Sequence, residues 1–167
     1  MSETTPAADA DTIIHLELKT GRVVIKLRPD LAPQHVERFR TLAAEGFYDN
    51  IAFHRVIDGF MAQSGDPTGT GSGGSKLPDL KSEFTNKAKF VRGTLGAART
   101  GNPHSANSQF FIMFAPAPSL DGQYSIFGEV TEGMELVDQI KRGAGGSGVV
   151  SDPDRIVSMR PASQTAT

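Results

Sequence analysis

The 167-residue chain predicts a mainly β fold, an antiparallel barrel or sandwich whose open ends are covered by helices. Three observations carry this. Apolar and polar residues alternate with a period of two through several short runs. Eighteen glycines and ten prolines punctuate those runs with turns. Only two stretches carry helical spacing, and they do not alternate with strands as a parallel sheet would require. About eight strands and two helices result.

The elements follow in order. Residues 12–28, TIIHLELKTGRVVIKLR, predict a hairpin. Ile14, Leu16 and Leu18 alternate with polar neighbours, Thr20 and Gly21 turn the chain, and Val23, Ile25 and Leu27 repeat the pattern. His15 falls on the polar face. A helix follows, with Pro33 in its first turn. Val36, Phe39, Leu42 and Ala43 form its apolar stripe, and Gly46 caps its end. His35, Glu37, Arg38 and Arg40 are expected on its solvated side. A second hairpin joins residues 53–57 to 60–64 through Asp58 and Gly59. The polar loop 75–89 is expected to be tied down by Leu77, Leu80 and Phe84. Strands are predicted over 94–99, 109–114 and 125–130. A short helix is predicted over 134–141, with Gly143 beyond it, and a last strand over 155–159.

Composition excludes several functions. There is no cysteine, hence no disulfide, thiolate nucleophile or thiolate zinc site. The four histidines, His15, His35, His54 and His104, show no metal-ligand spacing. The formal net charge of -2 argues against nucleic-acid or anionic-membrane partners. No apolar run is long enough to span a membrane. The N-terminus lacks the basic and apolar regions of a signal peptide. The expectation is a single cytoplasmic domain over residues 12–161, monomeric, with disordered tails at 1–11 and 162–167, and with no metal or cofactor.

Residues 53–74, FHRVIDGFMAQSGDPTGTGSGG, are the most unusual stretch. They set an arginine on a strand, a glutamine on its partner, and a glycine-rich loop directly after. The loop lacks the G-x-x-x-x-G-K-[ST] pattern of a phosphate cradle and the strand–G-x-G-x-x-G–helix context of a dinucleotide site. A hydrolase using His104 with Ser105 or Ser108 lacks a nucleophile elbow and an orienting third group.

The chain resembles the cyclophilin family of peptidyl-prolyl cis/trans isomerases, in its short bacterial cytoplasmic type. The residues that carry the likeness are FHRVIDGFMAQSGDPTGTGSGG (53–74), GTLGAART (93–100), SANSQFFIMF (105–114) and LDGQYSIFGEV (120–130). The resemblance covers roughly residues 12–160. It implies a closed eight-stranded antiparallel β-barrel capped by two helices, with the active groove on its outer surface. It implies isomerisation of X-Pro bonds and assistance to folding proteins. A non-catalytic module that docks proline segments in the same groove is the alternative.

Such a reaction breaks amide resonance, at a barrier of about 18–20 kcal/mol, and makes or breaks no bond. It needs a pocket for the proline ring and a donor to the imide nitrogen, which gains a lone pair only in the twisted transition state. Arg55, with five N–H groups in a rigid fork, is the candidate donor. Gln63 would bind the substrate backbone and steady Arg55. The resemblance places Phe60, Met61, Phe111 and Leu120 around the proline. It places Gln109, Arg99 and Thr100 along the groove, where backbone groups matter more than side chains, and Tyr124 where many members carry a histidine. Strand parity sets Gln109, Phe111 and Met113 on one face and Phe110, Ile112 and Phe114 on the other. His54 points away from Arg55 and is expected to make a hydrogen bond inside the fold. Ser119 stands where many members have a tryptophan that donates to cyclosporin, so cyclosporin is expected to bind weakly. Asp58 replaces a common proline, with no effect expected.

Overall fold

Alternation over residues 13–27 builds the first hairpin. In the computed structural model β1 (Ile13–Leu18) and β2 (Gly21–Leu27) pair antiparallel, and every second residue is buried. Leu18 opposes Gly21, so the turn lies one residue earlier than expected, at Lys19 and Thr20. The structure describes residues 12–69, 73–85, 87–100, 102–143 and 148–162. The tails expected to be disordered, apart from residue 162, and part of the glycine loop lie outside them.

The remaining strands are β3 (Arg55–Ile57), β4 (Met61–Ser64), β5 (Thr94–Ala97), β6 (Phe110–Met113), β7 (Ile126–Glu132) and β8 (Ser158–Pro161). Together the eight make one antiparallel sheet in the order β3-β4-β6-β5-β7-β2-β1-β8. Among the described residues two α-helices accompany it, α1 (Pro33–Ala44) and α2 (Met134–Val137). α1 ends before Gly46, which has φ 79°, as the sequence predicts. α2 is shorter than predicted. After Val137 the chain continues only in turns, with Gln139 N–H bonded to Leu136 C=O and Ile140 N–H to Val137 C=O. β8 begins three residues later than predicted.

The expected closed barrel is not formed. The edge strands β3 and β8 do not pair. The gap between them is spanned by an irregular segment that reaches the hairpin through isolated bridges, Ala52 to Arg155 and Arg55 to Val149. This segment supplies the partners that a neighbouring strand would offer. Phe53 N–H donates to Asp154 C=O at 2.8 Å, and Val56 N–H to Gly148 C=O at 2.8 Å. Pro153, which cannot donate, and Asp152 at φ 54° keep the segment from becoming a strand.

Two apolar clusters lie on opposite faces of the sheet. The inner one joins Ile14, Leu16, Ile25, Leu27, Phe110, Ile112 and Phe127 to the helix stripe Val36, Phe39, Leu42 and Ala43. Phe39 stacks on Phe127 with centroids 4.0 Å apart, and its ring meets Phe110 edge-on. Burying one such phenyl contributes about 1.5–3 kcal/mol. The outer cluster holds Leu31, Met61, Phe90, Phe111, Met113, Ala117 and Ile126. The parity predicted for β6 is therefore observed, with Phe110 inside and Phe111 outside.

His35 is a correction. It sits on α1 but is fully buried, with Nδ1 2.5 Å from Glu83 Oε1. Glu83 also accepts the Gln34 and His35 backbone N–H groups, capping the helix from loop 75–89. Arg38, also expected to be solvated, donates to Pro78 C=O at 2.6 Å. In the same loop Leu80 is buried, whereas Leu77 and Phe84 stay more than a third exposed.

Candidate active site

The outer cluster opens at one end into a cavity of about 190 Å³. β3 and β4 supply its first wall. Their register sets Arg55 opposite Gln63 and Ile57 opposite Met61, so the connection is three residues, Asp58, Gly59 and Phe60. Phe60 therefore leaves the strand in which it was expected and stands on the turn, closed by its N–H bond to Ile57 C=O at 3.0 Å. Phe53 also departs from expectation. It lies before the start of β3 and packs in the inner core, while Arg55 and Ile57 are half-buried on the groove side.

β6 supplies the floor. Phe111 is 5% exposed and stacks on Phe90, with Tyr124 edge-on to both rings. Leu120 comes from a single 3₁₀ turn, Pro118–Leu120. The cavity lining is Arg55, Phe60, Met61, Gln63, Ala98, Arg99, Phe111, Leu120 and Tyr124. Eight of these nine are candidates named from the sequence, and Ala98 is the ninth. Ser119 is exposed in the same turn and does not line the cavity.

The other two candidates, Thr100 and Gln109, lie in an adjoining cavity of about 630 Å³. The cavities share Gln63, Ala98 and Arg99. The sequence reading missed most of the second cavity's polar wall, including Asp79, Asn102, Ser105 and Asn107. These come from loops 75–89 and 100–107, where no period marks a face. Phe90, which backs Phe111, was also missed, since nothing in its own segment sets it apart.

A chain of hydrogen bonds orders the groove. Arg55 Nη1 donates to Gln63 Oε1 at 3.2 Å, Gln63 Nε2 to Gln109 Oε1 at 2.9 Å, and Gln109 Nε2 to Gly73 C=O at 2.9 Å. The glycine loop passes under this chain. Gly65 has φ 101°, and a Cβ there would come 2.3 Å from Ser108 C=O, so only glycine fits. Asp66, fully buried, holds the loop by accepting from Thr68 N–H and Gly73 N–H. Scaffolding is what the described part of this loop does.

His54 is buried beside Arg55, but the expected internal hydrogen bond is missing: neither ring nitrogen has a partner among the described residues. Burial holds its pKa below the ordinary histidine value. The hydrolase alternative has no geometry here. His104 Nδ1 accepts from Ser82 N–H, Ser105 Oγ donates to Asn102 C=O, and Ser108 Oγ donates to Gly65 C=O.

This site has counterparts of known kind. Residues 13–161 match the family model "Cyclophilin type peptidyl-prolyl cis-trans isomerase/CLD". A Brucella suis protein named "Probable peptidyl-prolyl cis-trans isomerase" is 50% identical over 93% of this chain and 85% of its own length. A cyclophilin-type isomerase of Cryptosporidium parvum, crystallised in the presence of the dipeptide Ala-Pro, is 31% identical. Its fold superposes with a TM-score of 0.81 over 89% of this chain and 98% of its own. The cyclophilin AquaCyp293 from Hirschia baltica is 26% identical, with a TM-score of 0.83 over 98% of this chain and 81% of its own. The chain belongs to the cyclophilin type of peptidyl-prolyl cis-trans isomerase.

Proposed function

We propose that Arg55 is the catalytic donor, and that the 190 Å³ cavity beside it takes the proline ring of an X-Pro segment. The observation that carries this is the adjacency of a guanidinium and an aromatic-lined, proline-sized recess on one edge of the groove. Phe60, Met61, Phe111, Leu120 and Tyr124 grip the ring. Gln63 and Gln109 hold the substrate backbone, and Arg99 and Thr100 continue the groove toward the larger cavity.

In this scheme no covalent step occurs. The pocket holds the proline while the residue before it turns. As the imide nitrogen pyramidalises, Arg55 donates to its new lone pair, an interaction that does not exist in the planar ground state. A charge-assisted hydrogen bond of about 1.5–3 kcal/mol corresponds to about ten- to a hundredfold in rate. Side chains beyond the proline meet a mostly polar groove, so many X-Pro sequences in folding chains serve as substrates. A monomeric, cytoplasmic protein with weak cyclosporin affinity belongs to the same reading, on the resemblance to the short bacterial type and on Ser119. Among the described residues no helix is long and apolar enough to cross a membrane.

A protease-coupled assay on an Ala-Pro peptide tests the assignment. Wild type accelerates isomerisation, and Arg55→Ala lowers kcat/KM by about ten- to a hundredfold. Full activity in Arg55→Ala would falsify the role given to Arg55.

A further inference from the structure

We infer that Arg99 makes the groove selective for X-Pro segments carrying an acidic side chain next to the proline, a specificity that rests on the isomerase reading above. Arg99 lines both cavities, so a peptide running from one to the other passes it. Its guanidinium is held in place. Cζ lies 4.8 Å from the Tyr124 ring centroid and 5.6 Å from that of Phe84. Nε donates to Gln123 C=O at 3.0 Å and Nη1 to Thr100 C=O at 2.8 Å. Both acceptors are neutral carbonyls, and among the described residues no carboxylate pairs with the guanidinium. Among the described residues two of its five donors are used, which leaves three for a ligand.

The support beneath Arg99 is itself anchored. Phe84 follows Glu83, whose carboxylate takes His35 Nδ1–H and two N–H groups at the start of α1. Glu83 N–H donates to Ser125 Oγ at 2.8 Å, just before β7. The residue before the phenyl ring is thus fastened to the helix by its carboxylate and to the start of β7 by its backbone N–H. A guanidinium held flat in this way loses little freedom on binding a carboxylate, which its planar fork matches.

The local charges favour the same ligand. Among the described residues the proline cavity is lined by two guanidiniums, Arg55 and Arg99, and by no carboxylate. Asp79 lies on the wall of the larger cavity and accepts from Asn107 Nδ2 at 3.1 Å. Asp121, beside Leu120, accepts the Phe90 N–H at 2.7 Å and faces Lys89 at 4.0 Å. The chain as a whole carries a formal charge of -2, so the attraction is local to this edge.

The test uses peptides that differ only in the residue before or after proline, with Glu, Gln or Lys at each place. Exchange NMR follows isomerisation, which avoids the sequence preference of a coupling protease. At one of the two places kcat/KM for Glu is expected to exceed that for Lys by about three- to fivefold, the range of a half-exposed ion pair. The gain lies in KM, and 0.5 M NaCl abolishes it. The ratio is read within each variant, so a general loss of activity cancels. Arg99→Gln brings the ratio to about one. Phe84→Leu, which keeps the charge and removes one ring, lowers the ratio and moves the Arg99 Nε–H resonance. Equal rates for Glu, Gln and Lys peptides at both places overturn the proposal, as does a preference that survives in both variants. Failure of wild type to accelerate any peptide sinks the isomerase reading instead.

Discussion

Arg55 and Gln63 face each other across β3 and β4, and the arginine donates to the glutamine at 3.2 Å. Because Gln63 is bonded in turn to Gln109, the guanidinium is aimed by a chain of amides rooted in the backbone of the glycine loop. Arg55→Lys keeps the charge but loses the rigid fork. We expect kcat to fall about tenfold or more with KM changed little. Gln63→Ala leaves the donor present and loosely held, and a several-fold loss in kcat is expected. Both residues are half-buried at the groove, so unfolding midpoints should move little. A Gln63→Ala enzyme with unchanged kcat would show that the aiming contact is idle.

A second prediction concerns the pocket floor. Gly96 lies on β5 directly under the stacked rings of Phe90 and Phe111. A Cβ at this position would meet Phe111 Cζ and Phe90 Cε1, each at 2.6 Å. Both rings are close-packed, so neither yields without moving the cavity wall. Gly96→Ala should cost about 1–3 kcal/mol of stability and raise KM for X-Pro peptides more than it lowers kcat. Urea unfolding and peptide kinetics on the same preparation measure both, and an unshifted KM would place substrate away from Phe111.

What was legible in the sequence was local. Parity alone separated Phe111 from Phe110, because a strand's period of two holds wherever the strand forms. The buried faces of β1 and β2 followed from the same rule. The His35 reading failed because its burial depends on Glu83, which is 48 residues away in sequence and whose loop carries no periodic signal. The barrel seam failed for a related reason. The last strand was expected over 155–159, but Pro153 and a left-handed Asp152 make residues 148–157 a strap across the gap instead. Of the nine described residues that line the 190 Å³ cavity, eight had been named as candidates and Ala98 had not. The polar cavity beside it is made of loop residues whose meeting no local pattern encodes.

Cyclosporin affinity should turn on Ser119. It is exposed on the 3₁₀ turn that also presents Leu120 to the proline cavity. A serine hydroxyl there is short, and an indole would extend an N–H donor and an apolar face over the rim. Ser119→Trp is expected to tighten cyclosporin binding by about tenfold, as one good hydrogen bond of about 1–1.5 kcal/mol implies. The chain has no tryptophan, so the new indole is its own fluorescent reporter. An unchanged dissociation constant would mean that the rim is shaped differently from the family pattern.

The His35–Glu83 pair makes stability depend on pH in a definite direction. Burial is the main influence on His35 and lowers its pKa, with Glu83 opposing and Arg38 adding a smaller lowering. The ring is therefore neutral in the folded protein, and its Nδ1–H donates to the carboxylate. The unfolded chain takes up a proton near the ordinary value of 6.5, before the folded one does. Between that value and the lower folded pKa the unfolded state binds more protons, so stability rises with pH. The His35 contribution is thus fully present above about pH 6.5 and is lost as pH falls through the folded pKa, at about 1.4 kcal/mol for each unit of depression. His15 and His54 are lowered in the same sense by burial and add to the slope. Urea denaturation of wild type between about pH 7.5 and about pH 4.5, set against His35→Gln, isolates the share of this pair. The variant keeps a side-chain N–H donor for Glu83 and cannot titrate, so its stability should fall less steeply than that of wild type. Parallel curves for the two proteins would show that His35 holds the same protonation state folded and unfolded, and would remove the physical basis for a neutral ring at the start of α1.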